Sequence, residues 1–481
     1  MFIPISNKEF SVFESHPLKD IYQEIREVYL SDDRPWIIGY SGGKDSTCAL
    51  QLIWYALKEL PVEKRNKKVH VISSDTLVET PVIVNYITNT LDKINSEANK
   101  QHMPFRAEIV RPIIGETFWV NLIGRGYPAP QTTFRWCTDR LKIRPADRFI
   151  FEKVAAYGEV ILVLGVRKSE STTRAQVMSL YKKKGSVLSR HSKFPQTWVY
   201  TPIEDFSTSD VWSYLLQNPS PFGNDNRDLA AMYKNAQAGE CPLVVDTTTP
   251  SCGNSRFGCW VCTVVQRDRS MENMIDNGEE WMEPLLEIRN YLASTQDPSK
   301  KHLYREYKRR SGKVSFKSDG SGVITRGPYT LEFCKVLLGK ILQAQTKIKK
   351  SNPDKSMNLI LTEELHEIRR LWIMERGDWE DSLPKIYREA IGEDLDWTDE
   401  DIGLFCSKEQ KILEKICAQH ETPLRLVTKL LDVERHVQGM SRRSSVYEKI
   451  DSVMHEEWRT EEEILQNLNN GKDILKDDQC E

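Results

Sequence analysis

A short apolar run, Pro35-Trp-Ile-Ile-Gly-Tyr40, leads straight into Ser41-Gly-Gly-Lys-Asp-Ser46 and then into a stretch of helical period beginning near Thr47. A buried strand that hands over to a helix through paired glycines belongs to an α/β sheet, with the loop at the strand's carboxyl end. Paired glycines let the backbone turn tightly so that its N–H groups face an anion, and the helix N-terminus adds partial positive charge. Lys44 contributes a point charge, and the hydroxyls of Ser41 and Ser46 contribute donors. The spacing is not G-x-x-x-x-G-K-[ST], so this is a phosphate loop of another kind than the Walker loop.

Two further apolar runs, Val69 to Asp75 and Val160 to Gly165, are separated by helix-length segments, the pattern of a parallel sheet with crossover helices. Leu18 to Leu30 reads as an amphipathic helix before the first strand. Periodicity stops between about Asp246 and Cys262, where Ser, Thr, Gly, Pro and Cys dominate. Met271 to Leu292 reads as helical, and Lys313–Lys317 with Gly322–Thr325 as a small hairpin. From Thr330 the reading is helical, with a helix start at Thr422-Pro423. The expected organisation is an N-terminal helix over 1–34, an α/β nucleotide domain over 35–240, a cysteine loop and basic segment over 241–329, and an all-α domain over 330–481.

With 67 Lys and Arg against 70 Asp and Glu, the chain is not generally basic, so polyanion binding must come from clusters. Residues 135–193 supply one, with 14 Lys and Arg against 5 Asp and Glu; Ser299 to Lys317 supplies another, with eight against one and with Tyr304, Tyr307 and Phe316 interleaved. No apolar run long enough to cross a membrane and no basic-then-apolar leader is present, so the expected location is cytoplasmic, with no membrane partner. Ten cysteines in such a chain point to metal ligation or sulfur chemistry in preference to disulfides. Cys252, Cys259 and Cys262 form a C-x6-C-x2-C cluster, with Cys137 the first choice for a fourth ligand and Cys241 the second. Cysteine-only ligation suits a tetrahedral zinc or a [4Fe–4S] cluster, and spacing does not separate them. Cys48, Cys334, Cys406 and Cys417 read as packing residues.

Ser41-Gly-Gly-Lys-Asp-Ser46 at a strand end resembles the signature of the PP-loop ATP pyrophosphatases. Ser74 to Pro81, Arg135 to Pro145, Gly165 to Ala175 and Pro202 to Trp212 resemble, within that superfamily, the phosphoadenosine-phosphosulfate (PAPS) reductase branch. Glu27 to Trp36 running into the glycine loop, the cluster cysteines, Gly327 to Thr330 and Gln438 to Arg443 are similar to the DndC family, the sulfurtransferases of bacterial DNA phosphorothioation (Dnd) systems.

The resemblance implies cleavage of ATP to AMP and pyrophosphate, adenylation of a DNA backbone phosphate and replacement of its non-bridging oxygen by sulfur. It implies ATP, Mg²⁺ and a [4Fe–4S] cluster as cofactors, and DNA, a cysteine desulfurase and other Dnd proteins as partners. Lys44, Asp45, Arg167 and Arg174 are the catalytic candidates. Ser41, Gly42, Gly43, Lys44, Asp45, Ser46, Asp75 and Gly165 would bind nucleotide, and Cys137, Cys252, Cys259 and Cys262 would hold the metal centre. A PAPS or adenylylsulfate reductase, which would need a Cys-Gly-x-His terminus in place of Asp478-Gln-Cys-Glu481, a tRNA thiolase, and a zinc-stabilised nucleotide- or DNA-binding scaffold are the competing readings.

Overall fold

The computed structural model describes residues 11–170, 176, 186–236, 258–352, 357–397, 407–437 and 446–469. Arg174, Lys182 to Lys184, Cys241, Cys252, Cys406, Gln438 to Arg443 and Cys480 lie outside them. The described residues fall into two compact units: one comprises the chain to Ile113 with Thr132–Leu286, the other Ile114–Gln131 with the chain from Glu287.

The first unit is a six-stranded sheet in the order β3-β2-β1-β4-β6-β5. Its strands are β1 (Trp36–Gly39), β2 (Val69–Ser74), β3 (Phe105–Val110), β4 (Val160–Leu164), β5 (Ser189–Arg190) and β6 (Thr197–Tyr200). All neighbours are parallel except β5 and β6. The fold class expected from the sequence is the one observed. Gly39, the last residue of β1, lies level with Ile72 of β2 on one side and Leu164 of β4 on the other. The chain winds outward from β1 through β2 to β3 and then crosses back to β4, so β1 ends at the switch point where open α/β sheets bind ligands.

Both faces of the sheet are covered. Trp36, Ile38, Val69, Val71, Ile161 and Val163 pack with the Lys44–Lys58 helix, whose Ala49, Leu50, Leu52, Ile53 and Trp54 are fully buried. Ile37, Ile72, Val160 and Leu162 face the other way, onto Phe149 and Ile150 of the Arg144–Tyr157 helix. Continuous apolar strands are the consequence of this two-sided burial. The stretch read as one helix over Met271–Leu292 is two, Arg269–Asp276 and Glu283–Ser294, because Gly278 turns at φ +110° between them.

In the second unit the helices Leu331–Ser351 and Thr362–Glu375 pack on the 114–131 segment, and Ser382–Ile391 packs on Leu331–Ser351. The Trp119 indole donates to the Leu359 carbonyl at 2.7 Å, and the Trp372 indole to the Ile123 carbonyl at 2.9 Å. The predicted hairpin forms through Lys317 N–H to Val323 O and Thr325 N–H to Ser315 O. The helix after Pro423 runs Leu424–Val437. Among the described residues no helix is long and apolar enough to cross a membrane.

Glu364 is buried at the start of the Thr362–Glu375 helix, where its carboxylate accepts the Leu361 N–H at 2.8 Å. Burial pushes its pKa up to about 7, against the help of Leu361 and Thr117. A group whose folded pKa is raised keeps its full stability contribution below the unfolded value and loses it as pH rises through the folded one. The second unit should therefore lose about 3 kcal/mol between about pH 4.5 and 7. Glu364→Gln should flatten the pH dependence of thermal unfolding across that window, and a slope equal to that of the parent chain would contradict the assignment.

Candidate active site

The glycine loop lies where the topology places it, between the end of β1 and the Lys44–Lys58 helix. Gly42 adopts φ +72°, and a Cβ there would meet Ile87 Cγ1 at 2.8 Å, so both conformation and space demand glycine. The loop is tied from within. Ser41 N–H donates to Ser46 Oγ at 3.2 Å, Ser46 Oγ donates to Gly43 O at 3.0 Å, and the two serine hydroxyls lie 3.1 Å apart. These hydroxyls shape the loop and still line it.

Asp45 organises the cations. Lys44 Nζ donates to Asp45 Oδ2 at 2.9 Å and Arg167 Nε to Asp45 Oδ1 at 2.7 Å. Arg167 is buried, and its Nη1 also reaches Ser169 Oγ at 2.9 Å and the Phe206 carbonyl. In this geometry Arg167 anchors the loop through Asp45. Each oxygen of the Asp45 carboxylate thus accepts from a different cation, Lys44 on one and Arg167 on the other. Gly165, just past β4, permits the closest approach in the site: a Cβ there would lie 2.7 Å from Asp45 O and 2.9 Å from Ser46 Cα.

Asp75 accepts from Leu77 N–H at 2.9 Å and from Arg111 Nε at 2.9 Å. The first bond supports Leu77 at φ 64°, a left-handed conformation that a side chain of this kind rarely adopts. This turn directs the next residues onto the cysteine segment. Glu79 pairs with Cys259 as an antiparallel bridge, Trp260 N–H donates to Val78 O at 3.0 Å, and the Thr80 hydroxyl donates to Gly258 O at 3.0 Å. The helix Pro81–Lys100 starts at the next residue and carries the Ile87 that touches Gly42. The loop after β1 and the segment holding Cys259 and Cys262 thus share the carboxyl edge of the sheet.

Around Cys259 lie Thr76 Oγ1 at 3.3 Å, Glu79 Oε1 at 3.7 Å and, through Glu79 Oε1 at 3.0 Å, Lys142 Nζ. Cys262 N–H donates to Cys259 O at 3.0 Å, which folds the C-x2-C pair into one turn. Burial pushes the Cys259 and Cys137 thiols up; Glu79 adds to the first effect and Cys262 to the second. Cys137 is therefore within electrostatic reach of Cys262. Thiols raised in this way become thiolates when a cationic centre stabilises them, so the donor chemistry fits a thiolate-bound metal centre. Cys252 lies outside the described residues, and among the described residues no three His, Cys, Asp or Glu side chains converge closely enough to hold a metal ion. Cys48 is a fully buried packing residue.

Residues 35–264 match the model of the phosphoadenosine phosphosulfate reductase domain. Residues 408–454 match that of a small protein found in certain Dnd DNA modification systems. An uncharacterized protein of Methanocaldococcus jannaschii is 30% identical over 242 residues, which make up 50% of this chain and 39% of that relative, so the chain spans about two fifths of the relative's length. Among solved structures, the PAPS reductase of Candida auris in its phosphate complex aligns with a TM-score of 0.29 and 15% identity, over 49% of this chain and 96% of that one. The U34-tRNA thiolase NcsA of Methanococcus maripaludis with its [4Fe–4S] cluster aligns with a TM-score of 0.27 and 16% identity, over 50% of this chain and 83% of that one.

The basic stretches are less open than their composition suggests. Within 135–193, Arg144 pairs with Asp139, Lys168 with Glu204 and Asp205, and Lys193 with Asp147. Within 299–317, Arg305 and Arg309 donate to the Arg326 carbonyl, Lys308 lies over Trp458 and Arg310 over Tyr127. Tyr304 packs on Phe333, and the Tyr307 hydroxyl donates to Arg459 O. With Lys300 paired to Asp297, five of the eight cations and two of the three aromatics read as a nucleic-acid surface are thus engaged inside the second unit.

Proposed function

We propose that the chain is an ATP pyrophosphatase that activates a DNA backbone phosphate for replacement of a non-bridging oxygen by sulfur. The observation that carries the reading is the shared sheet edge: a glycine loop at the switch point, and a cysteine pair bridged to the segment after the neighbouring strand. The match of residues 408–454 to a Dnd-system small protein supports DNA as the substrate and other Dnd proteins as partners.

The chemistry requires an activated leaving group, since an oxide ion cannot depart from a phosphodiester. Attack of the DNA phosphate oxygen on the α-phosphorus of ATP forms a mixed anhydride and releases pyrophosphate. Sulfur supplied at the sulfide level then attacks the DNA phosphorus, and AMP leaves with the former oxygen. The loop N–H groups and Lys44 would stabilise the departing pyrophosphate, Asp45 holds Lys44 in place, and Arg167 holds Asp45. Cys137, Cys259, Cys262 and Cys252 would hold a [4Fe–4S] cluster, which when bound would supply a sulfur-handling centre beside the nucleotide. The sulfur itself would come from a cysteine desulfurase as a persulfide, and a thiol reductant would supply the two electrons that cleave its S–S bond and release the sulfur at the sulfide level.

The test is pyrophosphate release from ATP and Mg²⁺ by anaerobically purified protein, with and without DNA. Release stimulated by DNA is the expected result; absence of release would remove the reading. The similarity of residues 35–264 to the PAPS reductase domain favours a reductase as the second reading. That enzyme would consume a sulfonucleotide and release no pyrophosphate from ATP. Cys259→Ser should lower bound iron and labile sulfide by more than about half, and zinc without iron in the parent protein would contradict the cluster.

A further inference from the structure

No sequence motif points to Tyr233, on the Asn226–Ala236 helix, yet it touches Lys44 twice. Its hydroxyl accepts the Lys44 backbone N–H at 3.2 Å, and its ring lies under the ammonium, with Nζ 5.5 Å from the centroid. Trp212 meets the same ring edge to face at 5.3 Å and fixes its plane. A Cβ on Gly43 would lie 3.0 Å from the hydroxyl, so the phenol enters the loop where glycine leaves room for it. Burial pushes the phenol up to about 12, which keeps it neutral at physiological pH.

The Lys44 N–H belongs to the first turn of its helix, where backbone donors have no partner within the helix and serve anions. In the structure a neutral oxygen on a packed side chain takes that donor. We propose that Tyr233 is a positioning residue that competes with the diphosphate for the Lys44 N–H: its hydroxyl caps the donor between turnovers and gives way to a phosphate oxygen, while its ring keeps the Lys44 ammonium over the loop. This inference rests on the phosphate-binding role proposed above. A phosphate oxygen makes the stronger, charge-assisted bond, so exchange favours the nucleotide, but part of that gain is offset by releasing the phenol. The competing hydroxyl weakens the hold on pyrophosphate and so speeds its departure.

Tyr233→Phe removes the hydroxyl and keeps the ring, its contact with Trp212 and its contact with the ammonium. By titration calorimetry, inorganic pyrophosphate should bind the variant about three- to tenfold more tightly than the parent protein. Product inhibition by pyrophosphate should strengthen by the same factor, and KM for ATP should fall together with kcat if release limits turnover. A purely structural role would not tighten binding. Tyr233→Leu, which also removes the ring, should bind pyrophosphate more weakly than Tyr233→Phe, because Lys44 loses its support. Equal or weaker binding by Tyr233→Phe, with the parent protein binding normally, would overturn the competition alone. Failure of the parent protein to bind pyrophosphate or ATP would overturn both the competition and the phosphate-loop reading.

Discussion

Lys44→Ala should lower pyrophosphate release by about 10²–10³-fold while the iron content stays at the parent level. The Lys44 ammonium contacts Asp45 and the Tyr233 ring, and neither contact reaches the cysteine segment. Asp45 needs a gentler substitution. Asp45→Ala would leave the Arg167 guanidinium buried without its carboxylate, a loss of about 3–5 kcal/mol that would confuse inactivation with unfolding. Asp45→Asn keeps a hydrogen-bond acceptor for Arg167 and removes the charge that holds Lys44. It should cost about tenfold or more in turnover with a smaller change in thermal unfolding. Pyrophosphate assay, calorimetric melting and iron analysis on the same preparations separate these outcomes. Release within threefold of the parent rate in Lys44→Ala would remove the loop from the mechanism.

Gly165→Ala should be nearly as damaging, although it adds one methyl group and no charge. The new carbon would lie 2.7 Å from Asp45 O and 2.8 Å from Asp45 C, which are backbone atoms and cannot rotate away. Relief requires the end of β4 and the first turn of the Lys44–Lys58 helix to separate, by a distance approaching an ångström. Displacement on that scale costs about 10²-fold in catalysis when it moves a positioning group. The packing strain should cost about 1–3 kcal/mol in stability. Gly339→Ala is the control: its Cβ would meet Ile386 Cγ2 at an ordinary 3.8 Å, inside a helix that favours alanine. Turnover unchanged in Gly165→Ala would show that the loop tolerates movement and that its geometry is not the source of activity.

The two units differ in how much of them can be read without coordinates. Strands β1, β2 and β4 announce themselves as apolar runs because both of their faces are buried. Strand β3 does not, since Arg106 and Glu108 alternate with Phe105 and Ala107 at the sheet's edge. Strands β5 and β6 are short and carry Trp198 and Arg190 in mutual contact, a pattern that looks like a loop. The 114–131 segment follows β3 in the chain but packs with helices that begin more than 200 residues later. No local pattern encodes that partnership, because it depends on indole-to-carbonyl bonds at separations of 240 and 249 residues.

Local chemistry was sufficient for the conformation of the glycine loop: paired glycines, a lysine and two hydroxyls between a strand and a helix can turn only a few ways, and Gly42 at φ +72° is one of them. The C-x2-C turn was equally legible, since three residues of chain suffice to bring Cys259 and Cys262 together. Tertiary structure alone assigned the partners of these pieces. Arg167 to Asp45, Tyr233 to Lys44 and Glu79 to Cys259 are each joined across 122 to 189 residues by contacts of side chains whose types are common everywhere in the sequence. Short-range geometry follows from a residue and its neighbours, whereas the carboxylate or phenol that meets a given cation is fixed only when the sheet brings its strand ends to one edge.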